Sequence, residues 1–125
     1  MILQCHGALV TLAAANIEVL VQFYRQFLDL SPHLYIPNVY AEFLFPGLRL
    51  GIFKPKESHR QEFVNSSKSG ISLCLEITSL EAAIARLSAL GYPPPGEILT
   101  ASHGREIYAY DPSGNRLILH ESKTA

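Results

Sequence analysis

Apolar positions along this chain change period, from alternation to a three-to-four spacing and back, and the whole change then happens a second time. Residues 5–13, CHGALVTLA, have strand composition, and Asn16 is placed to cap a helix running to Leu28 with the apolar stripe Val19-Leu20-Phe23-Phe27. From Pro32 onward come short extended pieces, 33–36, 40–45 and 48–53, separated by Pro37-Asn38 and Pro46-Gly47. Residues 71–77, ISLCLEI, restart the sequence of elements. Ser79 caps a second helix that runs through Leu90 and ends at Gly91. After Pro93-Pro94-Pro95-Gly96 the pieces 97–100, 105–110 and 116–121 read as strands, the last entered through the turn Asp111-Pro112-Ser113-Gly114-Asn115. Each half therefore reads strand, helix, strand, strand, strand. An offset of 63 sets Leu9 on Ser72, Leu12 on Leu75 and Glu18 on Glu81; for the last strands the offset is 67, with Arg49-Leu50-Gly51-Ile52-Phe53 over Arg116-Leu117-Ile118-Leu119-His120. An internal repeat of this kind decides architecture before any motif does.

Composition narrows the class. At 125 residues and 48% hydrophobic content the chain suits one domain with its own core, made of repeat modules 1–53 and 70–122 joined by the polar linker 54–69. No run of about 18 apolar residues occurs, and Met1-Ile2-Leu3 gives way to Gln4 and His6 rather than to a signal-peptide core, so a cytoplasmic location is expected. The formal net charge of −1, without a basic block, argues against nucleic acid and membrane partners. Cys5 and Cys74 supply neither a CxxC pair nor a four-cysteine zinc site. Cys74 reads as a small apolar residue in a buried strand. The histidines at 6, 33, 59, 103 and 120 form no HxH or HxxxH pair; 59 and 103 fall in turn-like surface contexts.

Asn16-Ile17-Glu18 leading to Phe23-Tyr24-Arg25, the segment Thr78-Ser79-Leu80-Glu81-Ala82-Ala83, and the Asp111–Asn115 turn before the final strand together resemble the vicinal oxygen chelate superfamily, which includes glyoxalase I, bleomycin resistance proteins, fosfomycin resistance enzymes and extradiol dioxygenases. The resemblance covers nearly the whole chain. It implies an α+β fold in which two βαβββ modules form a cup-shaped, barrel-like mixed sheet around a cavity, and it implies a homodimer. It also implies four side chains holding one divalent ion that acts as a Lewis acid on neighbouring substrate oxygens. Carried over by spacing, those four positions are Leu9, Gly51, Ser72 and Ile118. Leucine, glycine and isoleucine have no donor, and a serine hydroxyl alone is a weak ligand, so no metal is assigned to them.

Strand alternation sets other groups beside those positions: Arg49 and Phe53 next to Gly51, Cys74 and Glu76 next to Ser72, and Arg116 and His120 next to Ile118, with Tyr108 and Tyr110 on the preceding strand. Such a mixture of aromatic, apolar and polar side chains suits a small-molecule site, although the same residues also suit a filled barrel in which Glu76 pairs with an arginine. Glu76, flanked by Leu75 and Ile77 in what reads as a central strand, needs a partner or water. His120 is a candidate general base, and Ser72 with His120 is a nucleophile and base in principle, without an oxyanion-hole motif. The polar linker, with Lys54, Lys56, Arg60 and Lys68, reads as a solvated loop or as a basic lid over an anionic ligand.

The leading expectation is a metal-independent small-molecule-binding protein of the glyoxalase/bleomycin resistance type, taking a small neutral or weakly anionic ligand at Glu76, His120, Tyr108, Tyr110, Arg49, Phe53, Ser72 and Cys74. The alternative is a glyoxalase-like lyase or isomerase with a displaced zinc or nickel site drawing on Glu76, His120 and His6. A third reading is an interaction module without any ligand.

Overall fold

The computed structural model describes residues 3–64 and 68–123. It divides into two compact units, Met1–Gln61 and Glu62–Ala125. In the first, strand β1 (Val10–Ala13) is followed by helix α1 (Ile17–Leu28) and strands β2 (Leu34–Ile36), β3 (Tyr40–Phe45) and β4 (Leu48–Phe53). In the second, β5 (Leu73–Glu76) is followed by α2 (Leu80–Leu90), β6 (Leu99–Ala101), β7 (Gly104–Tyr110) and β8 (Arg116–Ser122). A 3-10 helix over Glu57–Phe63 carries only exposed or part-exposed residues, so much of the expected linker has local structure of its own.

The two units repeat one topology. Sheet order is β1-β4-β3-β2 in one and β5-β8-β7-β6 in the other, with the first strand parallel to the last and the remaining pairs antiparallel. The α+β fold with two βαβββ modules is thus present, as two mixed four-stranded sheets that are not closed into a barrel. The first strand of each module is shorter than its apolar run, because β1 pairs with β4 only from Val10 and β5 with β8 only from Leu73.

Asn16 caps α1 by accepting the Glu18 N–H at 3.1 Å, and Asp29 ends it in the left-handed region, its N–H donating to the Arg25 carbonyl. The buried face is Ile17, Leu20, Val21, Phe23, Tyr24 and Phe27. Val19, expected in the stripe, is instead 44% exposed. At about 100° per residue it lies roughly 120° from the centre of that face. Tyr24 packs edge-on to Phe23 at 5.0 Å and reaches Phe43 at 6.4 Å, so the α1 side of the sheet is Ala41, Phe43, Leu50 and Ile52. The opposite face carries Thr11, Tyr40, Glu42, Arg49, Gly51 and Phe53.

In the second unit Ser79 caps α2 by accepting the Ala82 N–H at 3.2 Å, and Gly91, at φ 95°, supplies the left-handed stop. Leu80 and Leu87 pack with Ile107, Ala109, Leu117 and Leu119 into the core. Each helix bears an acid at its second position. Glu18 accepts the Asn38 N–H at 2.7 Å and the Tyr35 hydroxyl, whereas Glu81 takes both terminal nitrogens of Arg105 at 2.9 Å. Arg105 also reaches Glu121, which accepts the Leu80 N–H at 2.8 Å. Buried Asp111 organises the turn into β8 by accepting the backbone N–H groups of Ser113 and Asn115 at 2.9 and 3.0 Å.

Candidate functional site

In the first unit, the position to which the resemblance assigns a metal-holding glutamate is Gly51, and its space is taken. A Cβ there would lie 2.7 Å from the Tyr40 hydroxyl oxygen and 3.2 Å from a Leu9 methyl carbon. Gly51 faces Glu42 across the β3–β4 pair, and the Tyr40 hydroxyl is fixed there because it donates to Glu42 at 2.7 Å. Arg49 approaches the same carboxylate with Nε at 3.1 Å and a terminal nitrogen at 3.3 Å, and His33 Nε2 lies 2.7 Å from it. Arg49, then Tyr40 and His33, hold Glu42 down to about 2, while burial and the carboxylate push Tyr40 up. The carboxylate is therefore already neutralised by a guanidinium, and a divalent ion beside it would have to compete with that charge.

Glu42, His33 and Tyr40 were not among the sequence candidates. The signal was available: Tyr40-Ala41-Glu42-Phe43 alternates, so a glutamate sharing a face with Arg49 follows from register once β3 and β4 are paired. Arg49 holds Glu42 through Nε and one terminal nitrogen, and Phe53 sits opposite Tyr40 and Ala13 on the same face.

The second unit brings Glu76 and His120 together. They are register partners on β5 and β8, and His120 Nδ1 lies 3.0 and 2.9 Å from the two Glu76 oxygens. Ser122 donates to the same carboxylate at 3.1 Å. The His120 contact, then Ser122, holds Glu76 below the usual carboxylate range. Glu76 pairs with histidine rather than with an arginine, and β5 is an edge strand rather than a central one, which leaves its side chain 66% exposed. His120 is only 13% exposed; its ring stacks on His103 at 5.3 Å and 19°, and its Nε2 is buried without a hydrogen-bond partner among the described residues. His103 thus belongs to the cluster despite its turn context.

Along the same face, Cys74 is a register partner of Ile118, which in turn pairs with Tyr108; Tyr110 pairs with Arg116. Cys74 is exposed, not buried, because it lies on the face turned away from α2. Partial burial, Glu76 and Glu106 push its thiol up, away from thiolate reactivity. Ser72 does not join His120: its hydroxyl accepts from Arg116 Nε at 2.6 Å, and it lies four residues, about 13 Å of strand, from Glu76. Arg116 also donates to the Ser69 carbonyl, so it secures the approach to β5 rather than standing free for an anion.

Of the four positions, then, Leu9, Gly51 and Ile118 have no donor and Ser72 is bonded to a guanidinium. His6 lies in the first unit, ahead of β1. No group of three or more His, Cys, Asp or Glu side chains arranged to hold a metal ion occurs among the described residues, so this donor set does not fit the divalent ion that the resemblance implies. No described helix is long and apolar enough to cross a membrane.

No protein-family model and no curated protein matches the chain. Solved structures do. A glyoxalase-related enzyme from Fulvimarina pelagi superposes with TM-score 0.76 at 18% identity, covering 94% of this chain and 88% of that one. The fosfomycin resistance protein FosX from Listeria monocytogenes gives 0.74 at 18% identity, over 97% and 96%. A glyoxalase/bleomycin resistance protein/dioxygenase from Nocardioides gives 0.70 at 20% identity, over 98% and 86%. At these identities the likeness shows a shared fold.

Proposed function

We propose that this protein, built on the glyoxalase-like fold, is a member of the vicinal oxygen chelate superfamily that has given up the metal and binds a small molecule through side chains alone. One observation carries the reading: the position of a metal-holding glutamate is a glycine whose space is filled by a tyrosine hydroxyl, itself held by an Arg49-neutralised carboxylate. Such a site has been rebuilt around another interaction, and vacancy of a single ligand position would not look like this. The remaining three positions agree with it. On the second unit, the face carrying Cys74, Glu76, Tyr108, Ile118 and His120 combines planar and apolar surface with a few directed polar groups, the combination small-molecule sites use.

Titration of metal-free protein with zinc, nickel, manganese and iron(II) by calorimetry tests the reading. The expected result is no stoichiometric binding tighter than about micromolar, that is, less than about 8 kcal/mol. One ion per chain bound at nanomolar concentration, and lost in Glu76→Ala or His120→Ala, would overturn it in favour of a displaced-site lyase or isomerase.

A further inference from the structure

The Glu76–His120 pair has a direction. A carboxylate held below its usual range accepts and cannot donate, so the ring nitrogen facing it, Nδ1, carries the proton. In the neutral ring the other nitrogen, Nε2, is then a bare lone pair. It is buried and lacks a partner, and an unmet buried acceptor is costly enough to demand an explanation. His103 covers one face of the ring by stacking, and with Nε2 buried a ligand reaches the nitrogen only when a covering side chain such as His103 moves aside.

We propose that His120 Nε2 is the acceptor for an O–H or N–H group of an uncharged or cationic ligand, and that Glu76 is a positioning residue that sets the tautomer. This deepens the metal-independent reading and rests on it. Charge selects the class. The groups around His120 on this face are Glu76 on β5, Glu106 opposite it on β7, Ser122 and the His103 ring, and the nearest arginine on the face, Arg116, is bonded to Ser72 and the Ser69 carbonyl. Two carboxylates, with no uncommitted cation on this face among the described residues, repel an anion, so the neutral part of the expected neutral-to-weakly-anionic range is favoured, the anionic part is not, and a cation, outside that expectation, is admitted. Tyr108 and Ile118, one step along the same face, offer a surface to a planar ring that carries the donor.

The test uses metal-free protein, nitrogen-15 resonances of the His120 ring, and three probes of one shape: phenol, which donates; anisole, which does not; and benzoate, which is anionic. The free protein should show the proton on Nδ1. Phenol should shift the Nε2 resonance and bind about three- to tenfold more tightly than anisole, the range expected for one hydrogen bond, while benzoate should not bind. In Glu76→Ala, an exposed substitution that removes the acceptor, the proton should redistribute toward Nε2 and the phenol preference should fall within about twofold. His120→Phe should abolish the preference while keeping an aromatic ring in place. A proton on Nε2 in the free protein, anisole binding as tightly as phenol, or binding by none of the probes each overturns the proposal. Tight metal binding in the calorimetric titration would overturn the metal-independent reading separately, because the tautomer and the probe preference are measured without metal.

Discussion

Gly51→Ala sets two effects against each other, and the geometry says which wins. A glycine in a strand interior is about 0.5–1 kcal/mol worse than alanine through backbone entropy, so the substitution starts with a gain. Against it, the new methyl would lie 2.7 Å from the Tyr40 oxygen and 3.2 Å from both Tyr40 Cε1 and Leu9 Cδ1. The hydroxyl cannot retreat without lengthening its 2.7 Å bond to Glu42. Overpacking of this kind costs about 1–3 kcal/mol, so the net expectation is a loss of about 1–2 kcal/mol. Tyr40→Phe removes the offending oxygen, and in that background alanine at 51 should fall within about 0.5 kcal/mol of neutral. The two substitutions therefore couple by about 1–2 kcal/mol. Urea unfolding of all four variants, followed by far-ultraviolet circular dichroism because the chain has no tryptophan, measures the coupling. A coupling below about 0.5 kcal/mol would refute the claim that Tyr40 occupies the place of the missing ligand.

Glu42, whose carboxyl is depressed from 4.5 to about 2 in the folded protein, contributes stability that is complete above about 4.5 and is lost as pH falls toward 2. The melting-temperature gap between the native protein and Glu42→Gln should accordingly shrink across that window, and a gap independent of pH would contradict the assignment. Gly104→Ala should cost about 3 kcal/mol or more in urea unfolding, because φ is 144° and the new Cβ would lie 2.3 Å from the backbone oxygen of Glu121, which has nowhere to go; a loss under about 1 kcal/mol would show that the Gly104 to Glu121 contact is looser than it looks.

Both helices, all eight strands and the repeat were legible because their signals are local: an N-cap at Asn16 and Ser79, a stop at Gly91, and alternation in β8. Gly51 and Ile118 came from the ligand pattern that the resemblance implies, and their lack of a donor is plain from residue type alone. What the sequence concealed depends on pairing. Glu42 becomes a site residue only when β3 is placed against Gly51, and His103 only when the turn before β7 brings its ring over His120, seventeen positions further along the chain. Cys74 misled for the complementary reason. An apolar-looking run such as ISLCLEI does not say which of its alternate residues face the helix, and Leu73 and Leu75 took that side. Val19 likewise belonged to the apolar count of α1 without belonging to its buried arc.

Glu18 and Glu81 hold the same station in the two copies, yet one answers to a tyrosine and a backbone amide and the other to an arginine. An acid in the first turn is favourable with no partner at all, since it meets the positive end of the helix. The helix therefore keeps a favourable acid whichever partner the strands around it present. Either partner can thus be exchanged without leaving the helix end uncompensated, which is why the two repeats can anchor the same acid in different ways.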